Sequence, residues 1–469
     1  MVLRPFMINV FVNTDMRKIR KIIKRSVLRT KYSEIANYLL EYKKTDWFDS
    51  NEINEYQVDK LKKLLAFSVE HVPYYRRVFQ ERNLTLDDFK TVSDLKKLPI
   101  LTKEIVFREG ENLFANVELE GIKVNTTSGS TGTPIVFRKQ KSCRDIESAL
   151  MRRYKENGSI CDDDYGVLIW GTHSLKKQDV LKGKVKSWLL NQSVFNSYDL
   201  SDANLERLIK CLKKKEVMYL RGYTSAVFYI ASLVNQRGLH FEIPFVSVTA
   251  EQLYDFQRKE IVRAFGNNLY NQYGCGECGA LAFECSSHEG LHHAFEHSIL
   301  EVLDDNGHDS IHGKVVLTNL DNYAMPLIRY ENGDLVTVSD HECSCGRRSM
   351  LIDHIDGRTY DVFEGENGNR VHAGFLDDML LGMDLLNTYG ITQIRIVQKK
   401  PLEYVCQYVA KKEIEFTDQR ELEKEYKKAL GDSISLFFER RDYLKSAERG
   451  KRHFIVPIHL YEKNKSVYD

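Results

Sequence analysis

The hydrophobic pattern of the first part of the chain predicts helices. Over residues 58–79, apolar residues recur at the helical period of about 3.6 residues, with Leu61, Leu64 and Leu65 on one face. Pro73 interrupts the pattern, because proline lacks the N–H group that a helix interior needs. We therefore expect a mainly helical front segment with a break at this proline.

From Tyr165 onward, short apolar runs alternate with stretches of helical period. The runs "YGVLIWG", "EVMYLRGY", "FVSVTAEQL" and "LYNQYGCGE" are typical of strands, and "SAVFYIASLVNQRG" and "DFQRKEIVRAFG" are typical of helices. Strand and helix in alternation indicate βαβ units and a parallel sheet. The carboxyl ends of such strands are where α/β folds carry their sites.

Beyond Leu291 the pattern changes to paired strands. Asn306-Gly307 separates two strand-like runs and is a strong turn signal, although the second run starts late. After "HIDGRTYDVF" the order becomes strand, strand, helix, strand, strand. We predict an α/β fold with sheets sandwiched by helices and a small β subdomain in a large domain over 46–357, a small α+β domain over 358–469, and a helical extension over 1–45.

Composition narrows the class of protein. A chain of 469 residues with 42% hydrophobic residues has room for two or three packed domains. The net charge of +1 excludes a bulk electrostatic attraction to nucleic acid. The nine cysteines, no apparent signal peptide and no apolar run of about 18 residues favour reduced thiols in a cytoplasmic protein.

The N-terminal stretch "MRKIRKIIKRSVLRTK" combines basic residues with an apolar stripe at helical spacing. It is either an ordinary basic helix that packs on its own domain or a recruitment element for an anionic membrane or an envelope-assembly partner. The second alternative would make the protein a membrane-recruited scaffold.

The loop "TTSGSTGTP", Thr126 to Pro134, is rich in glycine and hydroxyl groups. Small residues let backbone N–H groups approach an anion, so the loop indicates phosphate binding. It is not the phosphate loop of the common nucleotide hydrolases, because Gly132 is followed by Thr133 rather than by lysine. A polar surface loop is the alternative interpretation.

Four motifs occur in a fixed order: this loop, "NQYGCGE" ending at Glu277, "LIRYENGDL" with Asp334, and "RGK" ending at Lys451. Together they resemble the adenylate-forming superfamily of acyl-CoA synthetases and adenylation domains. The segments "VPYYRRVF", "LRGYTSAVFYIASL" and "CSCGRR" make the chain most similar to the phenylacetate-CoA ligase branch, including relatives from capsular polysaccharide clusters. The resemblance spans residue 45 to the C-terminus.

The resemblance implies a reaction and its cofactors. A carboxylic acid attacks the α-phosphate of ATP to give acyl-AMP and pyrophosphate, with Mg²⁺ neutralising the charge, and CoA then accepts the acyl group. It also implies that the small domain is mobile and rotates about "DGR", Asp356 to Arg358. An amine or hydroxyl of a sugar or amino acid is the alternative acceptor, and a non-catalytic nucleotide-binding relative is the alternative function.

The resemblance also implies roles for individual residues. Lys451 would bridge carboxylate and phosphate, Glu277 would bind Mg²⁺, Tyr273 would stack on adenine and Asp334 would accept hydrogen bonds from ribose. Arg347, or its neighbour Arg348, would reach the ribose and phosphate. The full set of implied nucleotide contacts is Thr127, Ser128, Gly129, Ser130, Thr131, Gly132, Thr133, Glu251, Asn271, Gln272, Tyr273, Gly274, Asp334 and Arg347.

The acyl pocket of the family is formed around "IWGTH" and "RGYTS", which makes Trp170, Gly222 and Tyr223 the candidate substrate contacts. An aromatic wall suggests an aromatic or flat acid, although Trp170 could equally be core packing. Neither the acid nor the oligomeric state follows from the sequence.

The cysteines predict a possible structural zinc site. Cys343 and Cys345 are close enough for one metal ion, and "ECSSHEGLHH" offers Cys285 with a histidine from His288, His292 and His293. Three cysteines and one histidine are a common tetrahedral zinc set. Buried free thiols are the alternative. Cys275 and Cys278 form a C-x-x-C that lacks the context of a redox motif.

Overall fold

The structure is a computed structural model that describes residues 34–126, 135–156, 158–161, 163–170, 177–197, 202–358, 362–366, 370–372, 385–445 and 455–469. The basic N-terminal stretch, the loop over 127–134 and Lys451 lie outside the described residues. Among the described residues, no helix combines the length and apolar character needed to cross a membrane.

The front of the described chain is helical, as the periodicity predicts. Helix α2 begins after Asp49, whose carboxylate accepts from the N–H groups of Asn51 and Glu52 while the Glu52 side chain accepts from the Asp49 N–H. Pro73 starts the next helix at its first turn, where the missing N–H costs nothing. The helices are α1 (34–45), α2 (Ser50–His71), α3 (Pro73–Glu81) and α4 (Lys103–Glu109), with 3₁₀ turns at Leu86–Asp88, Val92–Lys97 and Gly110–Leu113.

A two-stranded hairpin follows the front helices. Strands β1 (Lys123–Thr126) and β2 (Val136–Lys139) pair antiparallel, with Thr126 opposite Val136. The ends of the glycine- and hydroxyl-rich loop are therefore held side by side. Helix α5 (Lys141–Glu156) leads from the hairpin to the main sheet.

The main sheet has eleven strands in the order β10-β11-β12-β13-β9-β8-β7-β6-β5-β3-β4. Five neighbouring strands are parallel, and their connections include α8 (Thr224–Gln236) and α9 (Asp255–Phe265). The parallel strands are β3 (Gly166–Trp170), β4 (Gln192–Asn196), β5 (Tyr219–Tyr223), β6 (Phe245–Thr249) and β7 (Leu269–Cys275), and α6 (Lys177–Leu189) and α7 (Asp202–Lys214) lie between β3 and β5 in sequence. The predicted βαβ pattern is confirmed.

Helices cover both faces of the parallel strands. Ile169, Leu220 and Val246 belong to one apolar cluster with residues of α7, α8 and α9. Tyr219, Phe245 and residues of α5 form another on the opposite face. Because both faces are covered, the central strand β6 is buried at every position, which explains its continuous apolar run.

The rest of the main sheet is antiparallel. Asn306-Gly307 lies in the connection between β10 and β11, where the Gly307 N–H donates to Asp304 O at 3.0 Å, and the predicted turn is confirmed. The strands are β8 (Gly279–Glu284), β9 (Leu291–His293), β10 (Ser298–Leu303), β11 (His312–Asn319), β12 (Tyr330–Val338) and β13 (Leu351–Arg358). The front helices pack on these strands through a second large apolar cluster.

The C-terminal part forms a separate four-stranded sheet in the order β18-β17-β16-β19. Its apolar residues join the cluster around α8 and α9, and Gln236 Nε2 donates to Gly390 O at 3.2 Å. The elements are β14 (Val362–Glu364), β15 (Arg370–His372), α10 (Leu385–Tyr389), β16 (Gln393–Lys400), β17 (Glu403–Val409), α11 (Phe416–Leu430), β18 (Ser435–Arg440), β19 (Ile455–Val456), α12 (Ile458–Lys463) and α13 (Lys465–Tyr468). The predicted α/β fold class is confirmed; the exact domain boundaries stay a prediction.

Candidate active site

The hairpin of β7 and β8 carries the acidic residue of the second motif. A Cβ at Gly274 would lie 2.5 Å from the facing carbonyl oxygen of Gly279, so only glycine allows this close approach. Glu277 sits in the turn, is 8% exposed, and accepts a hydrogen bond from Tyr330 Oη at 3.2 Å. The turn therefore holds a carboxylate in a fixed position at the end of two interior strands of the sheet.

Asp334 lies beside this hairpin, although 61 residues separate it from Tyr273. Tyr273 Oη donates to Asp334 Oδ2 at 2.7 Å, and Asn332 Nδ2 donates to the same oxygen at 2.7 Å and to Tyr273 Oη at 2.8 Å. Burial and the nearby Asp334 carboxylate raise the pKa of Tyr273 well above its usual value, which keeps the hydroxyl protonated as a donor. The three side chains form one buried polar group.

Asn332 is a residue that sequence reasoning missed. It lies two residues before Asp334 in "ENGDL", and its Oδ1 also accepts from the Asp334 N–H at 3.0 Å. An asparagine side chain that accepts from the backbone N–H two residues later is typical of a turn. That local pattern does not reveal that Asn332 also donates to Asp334 and Tyr273.

Other predicted nucleotide contacts lie at the carboxyl ends of the parallel strands. Thr249 at the end of β6 is paired with Gln272 of β7 and with Tyr223 of β5, which brings these strand ends together. Glu251 follows β6, and its Oε2 accepts from the Ser225 N–H at 2.8 Å at the start of α8. The Asn271 N–H donates to a carboxylate oxygen of Glu284 at 2.5 Å.

Two of the three predicted substrate contacts lie together. The rings of Trp170 and Tyr223 are 4.5 Å apart at 35°. Gly222 has a packing reason of its own, because a Cβ there would lie within 2.9 Å of Val227 and Ile169. The structure thus brings together an aromatic pair at the strand ends.

Arg347 lies elsewhere. Its Nη2 lies 3.3 Å from Asp46 Oδ2, its Nη1 lies 3.6 Å from Cys345 Sγ, and its guanidinium lies 5.3 Å from the Trp47 ring centre. Arg348 pairs with Glu342. The loop after β12 thus carries the Arg347 side chain to the segment that follows α1, and its ribose role stays a prediction. The backbone position opposite Asp334 is Arg358.

The base of the β1–β2 hairpin lies beside the Glu277 turn. Phe137 of β2 belongs to the same apolar cluster as Cys278 of the turn, and a Cβ added at Gly276 would lie 3.7 Å from the Phe137 ring, so β2 lies next to the turn. The predicted contacts Thr127, Ser128, Gly129, Ser130, Thr131, Gly132 and Thr133 follow β1 and lie outside the described residues, as does Lys451. The hairpin nevertheless pairs Thr126 with Val136, described residues on either side of that segment, in the strand pair next to the turn.

A buried network of charges lies under this hairpin. Lys139 Nζ pairs with Glu147 Oε1 at 2.5 Å. His297 Nδ1 lies 2.8 Å from Asp321 Oδ2, and its Nε2 lies 3.0 Å from Cys278 O in the Glu277 turn. Burial opposes ionisation of Glu147, but Lys139 and His297 outweigh it and lower the pKa of this carboxyl to about 2. The network links hairpin, α5 and turn.

The cysteine and histidine prediction converges on one cluster. One ligand atom each from Cys285, His292, Cys343 and Cys345 lie within 4.8 Å of one another. Cys285 Sγ is 3.5 Å from Cys343 Sγ, and Cys345 Sγ is 3.3 Å from His292 Nε2. Burial lowers the pKa of His292 to about 4, which favours the neutral imidazole.

The other candidate histidines have different partners. His288 Nδ1 lies 3.1 Å from Glu284 Oε1, and His293 Nε2 lies 2.9 Å from Ser298 Oγ. His292 also contacts Ser349 Oγ at 3.2 Å through Nδ1, which leaves Nε2 facing the sulfur atoms. The geometry therefore selects His292 from the three.

No family model matches the chain. Phenylacetate-coenzyme A ligase of Thermus thermophilus is 28% identical over 323 residues, which are 65% of this chain and 70% of that protein. Protein CapK of Staphylococcus aureus is 24% identical over 327 residues, 67% and 70% of the two chains. Indoleacetate–lysine synthetase of Pseudomonas savastanoi is 24% identical over 392 residues, 79% and 92%.

Solved structures share the fold. The crystal structure of 2-hydroxyisobutyryl-CoA ligase in the postadenylation state, in complex with R3-HIB-AMP, matches with a TM-score of 0.70 at 18% identity, over 91% of this chain and 94% of that one. The same ligase in complex with 2-HIB-AMP has a TM-score of 0.71 at 17% identity, with the same coverage. The fold and the curated relatives confirm the resemblance that the motif order predicted.

Proposed function

We propose that this chain, a relative of the phenylacetate-CoA ligases and of CapK within the adenylate-forming superfamily, activates a carboxylic acid with Mg-ATP and transfers the acyl group to CoA. The observation that carries the proposal is the buried group of Tyr273, Asn332 and Asp334, beside Glu277 at the strand ends. A carboxylate that is pre-oriented by two donors is suited to accept hydrogen bonds from ribose hydroxyls.

The chemistry divides into two transfers. In the first, a carboxylate oxygen of the acid attacks the α-phosphorus of ATP and the bond to pyrophosphate breaks. In the second, the sulfur of CoA attacks the acyl carbonyl, AMP leaves, and the thiol proton is released. Relatives named for CoA ligation and solved ligases with acyl-AMP bound support both steps.

The residues of this chain have separate tasks in that scheme. Asp334 orients the ribose, and Tyr273 and Asn332 hold Asp334 in place. Glu277 would hold Mg²⁺, which supplies charge neutralisation at the phosphates when bound. The Glu277 carboxylate is buried and accepts from one hydroxyl donor, Tyr330, so it fits the role of a hard oxygen ligand to Mg²⁺. Lys451 and the loop over 127–133 complete the proposed site.

The Cys285, His292, Cys343 and Cys345 cluster fits Zn²⁺, because three sulfur atoms and one neutral imidazole nitrogen within 4.8 Å of one another are a ligand set that tetrahedral zinc takes. Such a site would be structural. It joins the end of β8 and the neighbouring strand β9 to the loop between β12 and β13, where Cys343 lies 58 residues after Cys285. Arg347 beside Cys345 would partly balance the thiolate charge.

A second candidate function concerns the acceptor. The indoleacetate–lysine synthetase aligns over 79% of this chain, and its name indicates acyl transfer to an amine rather than to CoA. The alternative is therefore an acyl-AMP ligase that forms an amide or ester on an amino acid or sugar of a cell-surface polysaccharide. The adenylation half-reaction is common to both functions.

The first test is ATP–pyrophosphate exchange with Mg²⁺ and a panel of aromatic, aliphatic, amino and sugar-derived acids. Exchange needs no acceptor, so it isolates the first transfer. We expect acid-dependent exchange in the intact chain and its loss in Glu277→Gln and Lys451→Ala. Glu421→Gln, which changes an exposed glutamate of α11, is the matched control and should keep full exchange.

The acceptor is then identified by adding CoA, amino acids or sugars to the acid that supports exchange. Release of AMP with CoA alone supports the ligase, and release with an amine or hydroxyl compound alone supports the second function. Absence of exchange with every acid, in protein that still binds ATP, would instead favour a non-catalytic nucleotide-binding protein.

A further inference from the structure

Arg221 is a cation placed inside the large domain near the candidate site. It is the third residue of β5, and its Cα partners are Leu168 of β3 and Ser247 of β6. Its Nη2 donates to Gln272 Oε1 at 2.6 Å, and its guanidinium lies 5.6 Å from the Trp170 ring centre. The side chain therefore lies between the aromatic pair and the strand that carries Tyr273.

The guanidinium lacks a counter-charge in the described part of the chain. Within the described residues, its Nε is buried without a hydrogen-bond partner, and the one hydrogen bond of the guanidinium goes to a neutral amide. Two other arginines in the interior differ: Arg153 pairs with Asp46 and Glu296, and Arg329 pairs with Glu301. Burial also lowers the pKa of Arg221, which reflects the same lack of a compensating anion.

An unpaired buried cation is expensive. Removing a charge from water costs several kcal/mol unless an opposite charge and hydrogen bonds replace the water. Arginine offers N–H donors along a planar edge that matches a carboxylate. The free Nε edge of Arg221 is therefore suited to an anionic group of a bound ligand.

We propose that Arg221 binds a second carboxylate of the acid substrate, so that the protein activates a dicarboxylic acid with an aromatic or flat body. This inference rests on the proposed adenylation function. The reacting carboxylate is a poor partner for Arg221, because it loses its charge when acyl-AMP forms. A second carboxylate keeps its charge through both transfers and would compensate the arginine throughout.

The test compares matched acids in the exchange assay. Each aromatic monoacid is compared with a diacid analogue that bears a second carboxylate. It is also compared with the monomethyl ester of that diacid, in which the second carboxylate is masked. We expect the intact chain to prefer the diacid, and Arg221→Gln to lower kcat/KM for the diacid by at least about 30-fold, because a buried partner of a charge pair is removed. The monoacid and the ester should change less than about threefold.

Two further variants make the result specific. Arg221→Lys keeps the charge but loses the planar edge, so it should restore part of the diacid activity. Arg237→Gln removes an arginine just after α8 that pairs with Glu206 at the surface, and it should behave as the unchanged protein. Thermal unfolding of each variant without ligand shows whether the fold is kept.

Several outcomes would overturn the inference. A diacid preference that survives in Arg221→Gln, or a preference for monoacids in the intact chain, contradicts it. An equal rise in the KM for ATP with every acid would mean that Arg221 serves the nucleotide. If no acid supports exchange, the proposed function fails, and the role of Arg221 is then tested by ligand binding alone. A diacid, but not its ester, must raise the Tm of the intact chain. The same diacid must leave the Tm of Arg221→Gln unchanged.

Discussion

Tyr273→Phe is the substitution that most directly examines the candidate nucleotide site. It removes one hydroxyl and keeps the ring, so the packing of β7 is unchanged. The hydroxyl donates to Asp334 Oδ2 at 2.7 Å and accepts from Asn332 Nδ2 at 2.8 Å. Asn332 Nδ2 keeps its other partner, Asp334 Oδ2 at 2.7 Å, after the substitution.

The magnitude follows from this inventory. The lost bond is a hydrogen bond to a charged group, which contributes about 1.5–3 kcal/mol to stability. The free energy of unfolding should therefore fall by roughly that amount. Because Asp334 then keeps a single side-chain donor of this group, we also expect weaker ATP binding, seen as a smaller rise in Tm at a fixed ATP concentration.

The matched control is Tyr270→Phe in the same strand. Tyr270 is buried and stacks on Phe245 with ring centres 4.8 Å apart, and its hydroxyl makes no hydrogen bond to another described residue. Its loss should cost less than about 0.5 kcal/mol. Urea unfolding of the intact chain and both variants, with and without ATP, measures the difference. If both variants lose equal stability, or if ATP stabilises Tyr273→Phe fully, the hydroxyl does not position Asp334.

Three further predictions follow from the site. Gly274→Ala should strongly reduce exchange activity, because a Cβ would collide with the facing backbone carbonyl. Gly276→Ala, where a Cβ would meet no atom closer than 3.7 Å, should stay near full activity. Equal effects of the two substitutions would contradict this. Cys343→Ser should abolish bound zinc measured by elemental analysis and lower the Tm, while Cys161→Ser, outside the cluster, should retain both; a zinc-free intact chain would refute the site. The Glu147 carboxyl has its pKa lowered from 4.5 to about 2. Its contribution of roughly 3 kcal/mol to the free energy of unfolding is therefore present above pH 4.5 and is lost as the pH falls toward 2. The stability difference between the intact chain and Glu147→Gln, measured by urea unfolding, should shrink over that range.

Local patterns predicted the elements well. The period-3.6 run that gives α2, the apolar runs that give β3, β5, β6 and β7, and Asn306-Gly307 between β10 and β11 all depend on residues a few positions apart. Such signals survive in the fold because hydrogen bonds within helices and turns are local, and because a strand covered on both faces needs a continuous apolar run.

The site was predictable where a motif kept its members adjacent. Tyr273, Gly274 and Glu277 lie in one hairpin, and the cysteines of "CSCG" reach a common cluster. The choice of His292 over His288 and His293 was not predictable from the sequence. Neighbouring residues of a strand and its flanking turn differ only in the direction of their side chains.

The sequence by itself therefore determined the elements, their order and the residue types that the chemistry needs. Only the tertiary structure decided which of them meet: Tyr273 with Asp334, Arg347 with Asp46 and Cys345, and Arg221 with Gln272 but with no carboxylate of the described residues. Except for the pair Arg347 and Cys345, those contacts join residues that are 51 to 301 positions apart in the sequence. Their partners are set by the order and register of eleven strands, which no local spacing encodes.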